Sequence, residues 1–251
     1  MIRTRWEQRA AKHLGEVQGV LLQGLPGNIN QAINDWQAAI ITTKLAPHLS
    51  SHSYVLDLAA GYGRLSQVIH AIRPNASLVG MDFSPTYCQL YAKGIGNAVC
   101  ADLRQLPFAP KSWDGILLVT GLMYLSQEES EATAQQVLSE LKPDGVALFM
   151  DPCAEMIAIM WKLRPSLGKS KTGGSGFSIK EYLSLFHRPG YKIIASGSNT
   201  FFTWLLPICL MFKKAPFLAS AIANMALRLD LFIGWKGRLA LHRWIIVRRE
   251  V

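Results

Sequence analysis

The residues best placed to do chemistry are acids spaced at the interval of a repeating strand and helix: Asp57, Asp82 and Asp102, with Thr120 following in the same phase. Each stands at, or just past, the end of a short apolar run. A carboxylate there accepts hydrogen bonds from hydroxyl or amino groups, which a ribose diol and an adenine amino group present. Taken singly, such an acid is as readily a helix cap or a turn residue. Three in phase with the strands are harder to explain that way. The first acid also opens Asp57-Leu58-Ala59-Ala60-Gly61-Tyr62-Gly63-Arg64, where Gly61 and Gly63 permit a tight turn and a close backbone approach to a ligand. A helix beginning there points its unpaired N–H groups into the crevice above the strand.

The elements that must position these residues are legible as apolar runs bounded by turn residues, at 54–58, 77–81, 97–101, 115–119, 146–150, 192–195 and 244–247. Short and rich in Val, Ile and Leu, they read as strands. Helical patterns at 65–72, 86–93 and 128–141 separate the first five, apart from a short Pro-containing link at 106–111. The alternation predicts an α/β fold, a mostly parallel sheet with helices on both faces. Pro143-Asp144-Gly145 reads as a stop and turn. Residues 1–50 read as helical, broken at Leu25-Pro26-Gly27-Asn28. Their charged first helix is expected to be a solvated face, with a lid over the site as the functional alternative. The Gly/Ser stretch 168–178, with Lys169 and Lys171, reads as a linker or as a loop closing over substrate.

With 251 residues, half of them apolar, one elaborated domain is expected. The four cysteines are scattered without a C-x-x-C pair, so neither a zinc site nor a disulfide framework is indicated and no metal is expected. No signal-peptide core follows the polar N-terminus, and a cytoplasmic setting is expected. The net charge of +9 is concentrated beyond residue 200, where Lys213, Lys214, Arg228, Lys236, Arg238, Arg243, Arg248 and Arg249 face only Asp230 and Glu250. Basic character confined to an apolar C-terminal fifth argues against a nucleic-acid partner.

The segments 55–64, Gly80-Met81-Asp82-Phe83-Ser84-Pro85, 101–108, 113–120 and Leu141-Lys142-Pro143-Asp144-Gly145 together resemble the class I S-adenosylmethionine-dependent methyltransferases. The resemblance runs from about residue 54 to 150, more loosely to 197. It implies a Rossmann-like, seven-stranded, mostly parallel sheet and S-adenosyl-L-methionine as cofactor. It further implies that Asp57 and the loop through Ala59 and Gly61 to Gly63 hold the methionine portion. Asp82 would bind the ribose hydroxyls and Phe83 pack on adenine; Asp102 would receive the adenine amino group with Leu103 beside the ring, and Thr120 and Gly121 would line the floor. The family usually has glycine at the position of Ala59, whose methyl group fits if its φ stays negative. A dinucleotide fingerprint is nearly present at Gly61-x-Gly63, but Ser66 replaces its third glycine and the Asp102-Leu103 element favours the methyl donor.

Methyl transfer needs alignment and exclusion of water more than covalent help, although a hydroxyl acceptor also needs a base. Asp151, His187 and Tyr124 are the candidates, with His48 and His52 in the N-terminal segment. Thr120-Gly121-Leu122-Met123-Tyr124 lacks the Pro-Pro-aromatic signature of enzymes that methylate nucleobase or glutamine amino groups. Leu122, Met123 and Tyr124 suggest an apolar acceptor pocket, although core packing explains the first two equally well.

The chain divides into an N-terminal helical cap at 1–50, which resembles the substrate-capping region of natural-product and polysaccharide methyltransferases, a cofactor-binding core at 51–197, an apolar basic helical insertion at 198–241 and a last strand at 242–251. Within the insertion the apolar run 201–212 is too short to span a bilayer. Leu218, Ile222, Met225, Leu229 and Phe232 fall on one helical stripe. That stripe is expected either to pack on the sheet and form the acceptor pocket, or to anchor residues 201–240 peripherally on a membrane, with Lys213, Lys214, Lys236 and Arg238 on anionic headgroups. The expected function is methyl transfer to oxygen on a small apolar or lipid-linked acceptor; the alternative is a non-catalytic cofactor-binding protein that docks a partner through the insertion. No feature sets an oligomeric state.

Overall fold

The computed structural model describes residues 2–22, 24–163, 174–212, 214–234 and 237–250. Its strands are β1 (Tyr54–Leu58), β2 (Ser77–Asp82), β3 (Asn97–Cys100), β4 (Trp113–Val119), β5 (Leu141–Pro152), β6 (Tyr191–Ser198) and β7 (His242–Arg249). They form one sheet in the order β3-β2-β1-β4-β5-β7-β6, and only β7 runs antiparallel to its neighbours. The order reverses between β1 and β4, and such a switch point opens a crevice above the strand ends.

The helices are α1 (Ile2–Lys12), α2 (Val17–Val20), α3 (Gly27–Ile40), α4 (Arg64–Ile72), α5 (Pro85–Gly94), α6 (Gln127–Glu140), α7 (Ala154–Leu163), α8 (Ile179–Ser184), α9 (Thr200–Met211) and α10 (Pro216–Ile233). Alternation along the strands sorts the core into two layers. Val55, Leu117, Leu148, Trp244 and Ile246 face α3, α4, α9 and α10. Leu56, Ile116, Phe149, Ile245 and Val247 face α6 and α8. Within α3 the residues Ile29, Ile33, Trp36 and Ile40 recur at helical spacing and are buried, each stabilising the layer by about 1.5–3 kcal/mol.

Local signals account for several element ends. Ser126 and Glu129 form a capping box at the start of α6, and Ser178 and Glu181 form another at α8. Gly80 lies directly under Tyr91, where a Cβ would come within 2.3 Å of the ring, so only glycine lets α5 settle on β2. Pro143-Asp144-Gly145 does not stop the chain as expected. β5 runs through it, with Asp144 at φ 62° and a shift in the β4 register between Trp113 and Gly115. A bulge absorbs the turn residues.

Residues 1–50 split into two parts: α3 belongs to the core, whereas α1 and α2 lie over the strand ends. Of the Gly/Ser stretch, 168–173 lies outside the described residues, as do Lys213 and Lys236. Between β6 and β7, α9 and α10 pack on each other and on α3.

Candidate active site

A cavity of about 610 Å³ lies above the ends of β1, β2, β3 and β4, within the size range of small-molecule sites. Its walls come from Ala59 and Gly61 after β1, Asp82 and Phe83 at the end of β2, Asp102 to Arg104 after β3, and Thr120 and Gly121 after β4. Ile2, Arg3 and Trp6 of α1 close it from above, with Val20 and Tyr124 at the side.

Asp82 is the most informative group. It is buried, yet it lines the cavity. Its Oδ2 accepts the Gly61 N–H at 2.9 Å and its Oδ1 the Ser84 N–H at 2.9 Å. The Phe83 N–H also acts on this carboxylate, which leaves part of its acceptor capacity for a further donor. Burial lifts this carboxyl to about 6, against the pull of the Ser84 and Gly61 N–H groups. An adjacent diol would restore the hydrogen bonds that burial denies the ionised form.

Asp57 sits behind the wall. Its Oδ2 accepts Ser66 Oγ–H at 2.7 Å, and Tyr91 donates its hydroxyl to Ser66 at 2.8 Å. Burial raises it too, to about 6, with Ser66 and Arg64 opposing. The relay ties the end of β1 to α4 and α5, so Asp57 shapes the glycine turn instead of facing the cavity. Gly63 also lies outside the lining; its positive φ of 85° places it at the start of α4.

Ala59 departs from expectation in its backbone. Its φ is +53°, not negative, and Thr120 across the cavity has φ +57°. A left-handed non-glycine residue costs about 1–2 kcal/mol. Both strained residues therefore flank the switch point. Ala60 N–H bonds to Met81 and Thr120 N–H to Met150, which hold the two turns in place.

Asp102 lines the cavity, but its carboxylate is already engaged. Arg104 Nε meets Oδ1 at 3.0 Å and Nη2 meets Oδ2 at 2.6 Å, while Nη1 reaches Glu129 at 3.4 Å. The Arg104 guanidinium, ahead of the opposing effect of burial, holds Asp102 below the usual carboxylate range. An adenine amino group would share this acid with Arg104.

Of the three candidate bases, the structure places only Tyr124 at the cavity, with its ring edge-on to Trp6 at 5.6 Å. Asp151 is removed from it. It is fully enclosed, accepting Met123 N–H at 3.1 Å and Tyr182 Oη–H at 3.4 Å, and burial raises its pKa well above the usual value. The end of β5 faces α8 there, so the acid fastens the turn after β4. His187 is exposed beyond α8 with Nδ1 2.8 Å from Leu183 O. His48 contacts Arg248 and His52 contacts Ser51, both away from the cavity.

The charged first helix is not the solvated face expected of it: α1 takes the alternative place, over the cavity. Its docking rests on Glu7, whose carboxylate accepts Ser84 Oγ–H and Thr86 Oγ1–H at the start of α5 and Thr86 N–H at 3.3 Å. Burial pushes Glu7 up, but these hydrogen bonds outweigh it and the net shift is downward. Arg9 lies 4.8 Å over the Trp6 ring and donates to the carbonyls of Gln18 and Leu21. The signal was present: Ile2, Trp6 and Ala10 recur every four residues on an otherwise charged helix.

Residues 55–145 match the family model described as a methyltransferase domain. This stretch, a little over a third of the chain, is similar to methyltransferase domains. A curated relative, the ubiquinone/menaquinone biosynthesis C-methyltransferase UbiE of Desulfotalea psychrophila, is 30% identical over 102 residues, which is 39% of this chain and 40% of that protein. The chain thus matches well under half the length of that relative. Among solved structures, magnesium protoporphyrin IX methyltransferase from Synechocystis PCC 6803 with bound SAH is similar at a TM-score of 0.66 and 13% identity, covering 99% of this chain and 98% of that one. The [4+2]-cyclase SpnF is similar at 0.64 and 14%, covering 100% and 95%. These likenesses establish the Rossmann-like methyltransferase fold along the chain. Because one of them is a cyclase, the fold by itself leaves the reaction to the site.

Proposed function

We propose that the chain transfers the methyl group of S-adenosyl-L-methionine to oxygen on a small apolar or lipid-linked acceptor. The observation that carries the reading is Asp82, a buried carboxylate held by backbone N–H groups at the wall of the cavity, with acceptor capacity left for a ligand, inside the stretch similar to methyltransferase domains. When bound, this cofactor supplies a methyl group already activated on a sulfonium. Asp82 takes the ribose hydroxyls, Phe83 and Leu103 flank the adenine, Asp102 shares its amino group, and Ala59, Gly61, Thr120 and Gly121 form the floor. Trp6, against Tyr124 and Tyr87, excludes water from above.

With Asp151 and His187 remote, Tyr124 is the remaining candidate for handling a proton. A tyrosine hydroxyl is a poor general base. The favoured acceptor therefore arrives with an acidic oxygen, such as a phenol, enol or carboxylate. Arg3 at the cavity would attract such an anion, whereas the Arg104 charge is already met by Asp102 and Glu129. The curated relative's name, a C-methyltransferase, favours a second reading in which carbon of an enolate or phenolate is methylated. A lipid-linked acceptor would meet the site at a membrane surface, which residues 201–240 would contact.

Calorimetry with S-adenosylmethionine and with its demethylated product tests the first step. Asp82→Ala is expected to weaken binding by about 1.5–3 kcal/mol; unchanged affinity would remove Asp82 from the site. Labelled donor incubated with small-molecule and lipid extracts, followed by mass spectrometry, tests transfer and locates the methylated atom. Donor binding without any labelled product favours the non-catalytic alternative.

A further inference from the structure

In α10 three alanines pack inward beside Leu227, while the most exposed residues are large. Ala219, Ala223, Ala226 and Leu227 are buried against α3 and α9. On the other side Phe217 is 87% exposed, Phe232 90% and Met225 53%, with Leu218 and Leu229 along the same stripe. The neighbouring α9 exposes Ile208 and Met211. Burial of apolar surface favours the opposite arrangement, so a solvent-facing stripe of this kind needs a partner.

The polar groups around the stripe identify that partner. Lys214, Arg228 and Arg238 are exposed, and an open groove between α10 and the segment after α3 brings Lys44 beside Arg228, Asn224 and Met225. None of these four cations meets an acid among the described residues. The acid of α10, Asp230, is turned inward, where its two oxygens accept Phe201 N–H at 2.9 Å and Phe202 N–H at 2.8 Å. The surface therefore offers aromatic and aliphatic side chains ringed by positive charge.

We infer that the outer face of α10, with the exposed edge of α9, lies in the interface of an anionic lipid bilayer. Phe217, Met225 and Phe232 enter the acyl boundary, while Lys44, Lys214 and Arg228 meet lipid phosphates. By length and composition α10 is also apolar enough to cross a membrane. It lies flat instead, because its inner face is packed on α3 and the chain returns from it to β7, beside the β6 strand it left. The delivery of a lipid-linked acceptor to the cavity rests on the methyl-transfer reading above; the docking itself does not.

Flotation of the full chain with phosphatidylcholine vesicles, with and without phosphatidylglycerol, tests the docking. The protein is expected to float with the anionic vesicles, and added salt should release it in part. A Phe217→Ser, Phe232→Ser double variant should lose at least about tenfold in vesicle affinity and Arg228→Glu should weaken it too, with melting and donor calorimetry unchanged in both. Failure to float with anionic vesicles, or flotation indifferent to the double variant, overturns the inference. A concentration-dependent dimer abolished by the double variant, without vesicle binding, also overturns it and assigns the face to a second copy. Calorimetry on the same samples separates the two readings: vesicle binding without donor binding would defeat methyl transfer alone, and donor binding without vesicle binding would defeat docking alone.

Discussion

Helices α1 and α10 have opposite sequences and bury opposite faces. α1 carries Arg3, Arg5, Glu7, Arg9 and Lys12, yet it turns Trp6 and Ala10 onto the cavity and the start of α5. α10 is apolar nearly throughout, yet it turns Phe217 and Phe232 to solvent and keeps alanines inside. Average polarity thus misleads for both. What sets the buried face is the fit to the neighbouring element: α1 meets an open cavity that a tryptophan can roof, and α10 meets α3 at a range where small side chains fit.

The contrast can be broken most directly at its largest residues. Trp6→Ala should cost about 3 kcal/mol in the docking of α1, because it empties a buried aromatic position. Loss of amide protection over residues 2–12 and weaker donor binding would register it; full protection would show that the roof does not depend on Trp6. Glu7→Gln keeps the shape of the latch and removes its charge, so a smaller loss of about 1 kcal/mol is expected from the same exchange measurement.

Acid should separate the helices as well. The folded state holds Glu7 low, so its contribution is complete at neutral pH and disappears as pH falls below about 4. Burial holds Asp230 high, so protonating it favours the folded form and acid spares α10. Hydrogen exchange across an acid titration should therefore release α1 first. The smallest effect belongs to Phe232→Ser, expected to change melting stability by no more than about 0.5 kcal/mol in the absence of lipid. A larger loss would mean that the outer face of α10 contributes to the folded protein on its own.

Much of the cofactor half was legible because strand alternation, glycine turns and strand-end acids are local patterns. All seven apolar runs became strands, and Asp82, Phe83, Asp102, Leu103 and Thr120 line one cavity. What escaped was set by three-dimensional contact. The strand-end position of Asp151 was visible, but not that its side chain points at Tyr182. His187 reads as a candidate only until the exposed end of α8 is seen. Ala59 looked tolerable on steric grounds at negative φ; the turn after β1 instead demands the left-handed region, and neighbouring backbone bonds hold alanine there. The direction of the α10 stripe depends on α3, nearly two hundred residues away, where Asn28 bonds to Pro216 and Ser220.

Ser198 and Arg243 stand opposite each other across β6 and β7. Everything between them leaves and re-enters the sheet at one place, so changes of length or sequence on the outer side of α9 and α10 transmit no shift of register to β5 or the cavity. Under the inferred docking, substitutions confined to that outer face would alter vesicle binding, and those around Asp82 would alter what the cavity binds, with little epistasis expected between the two sets.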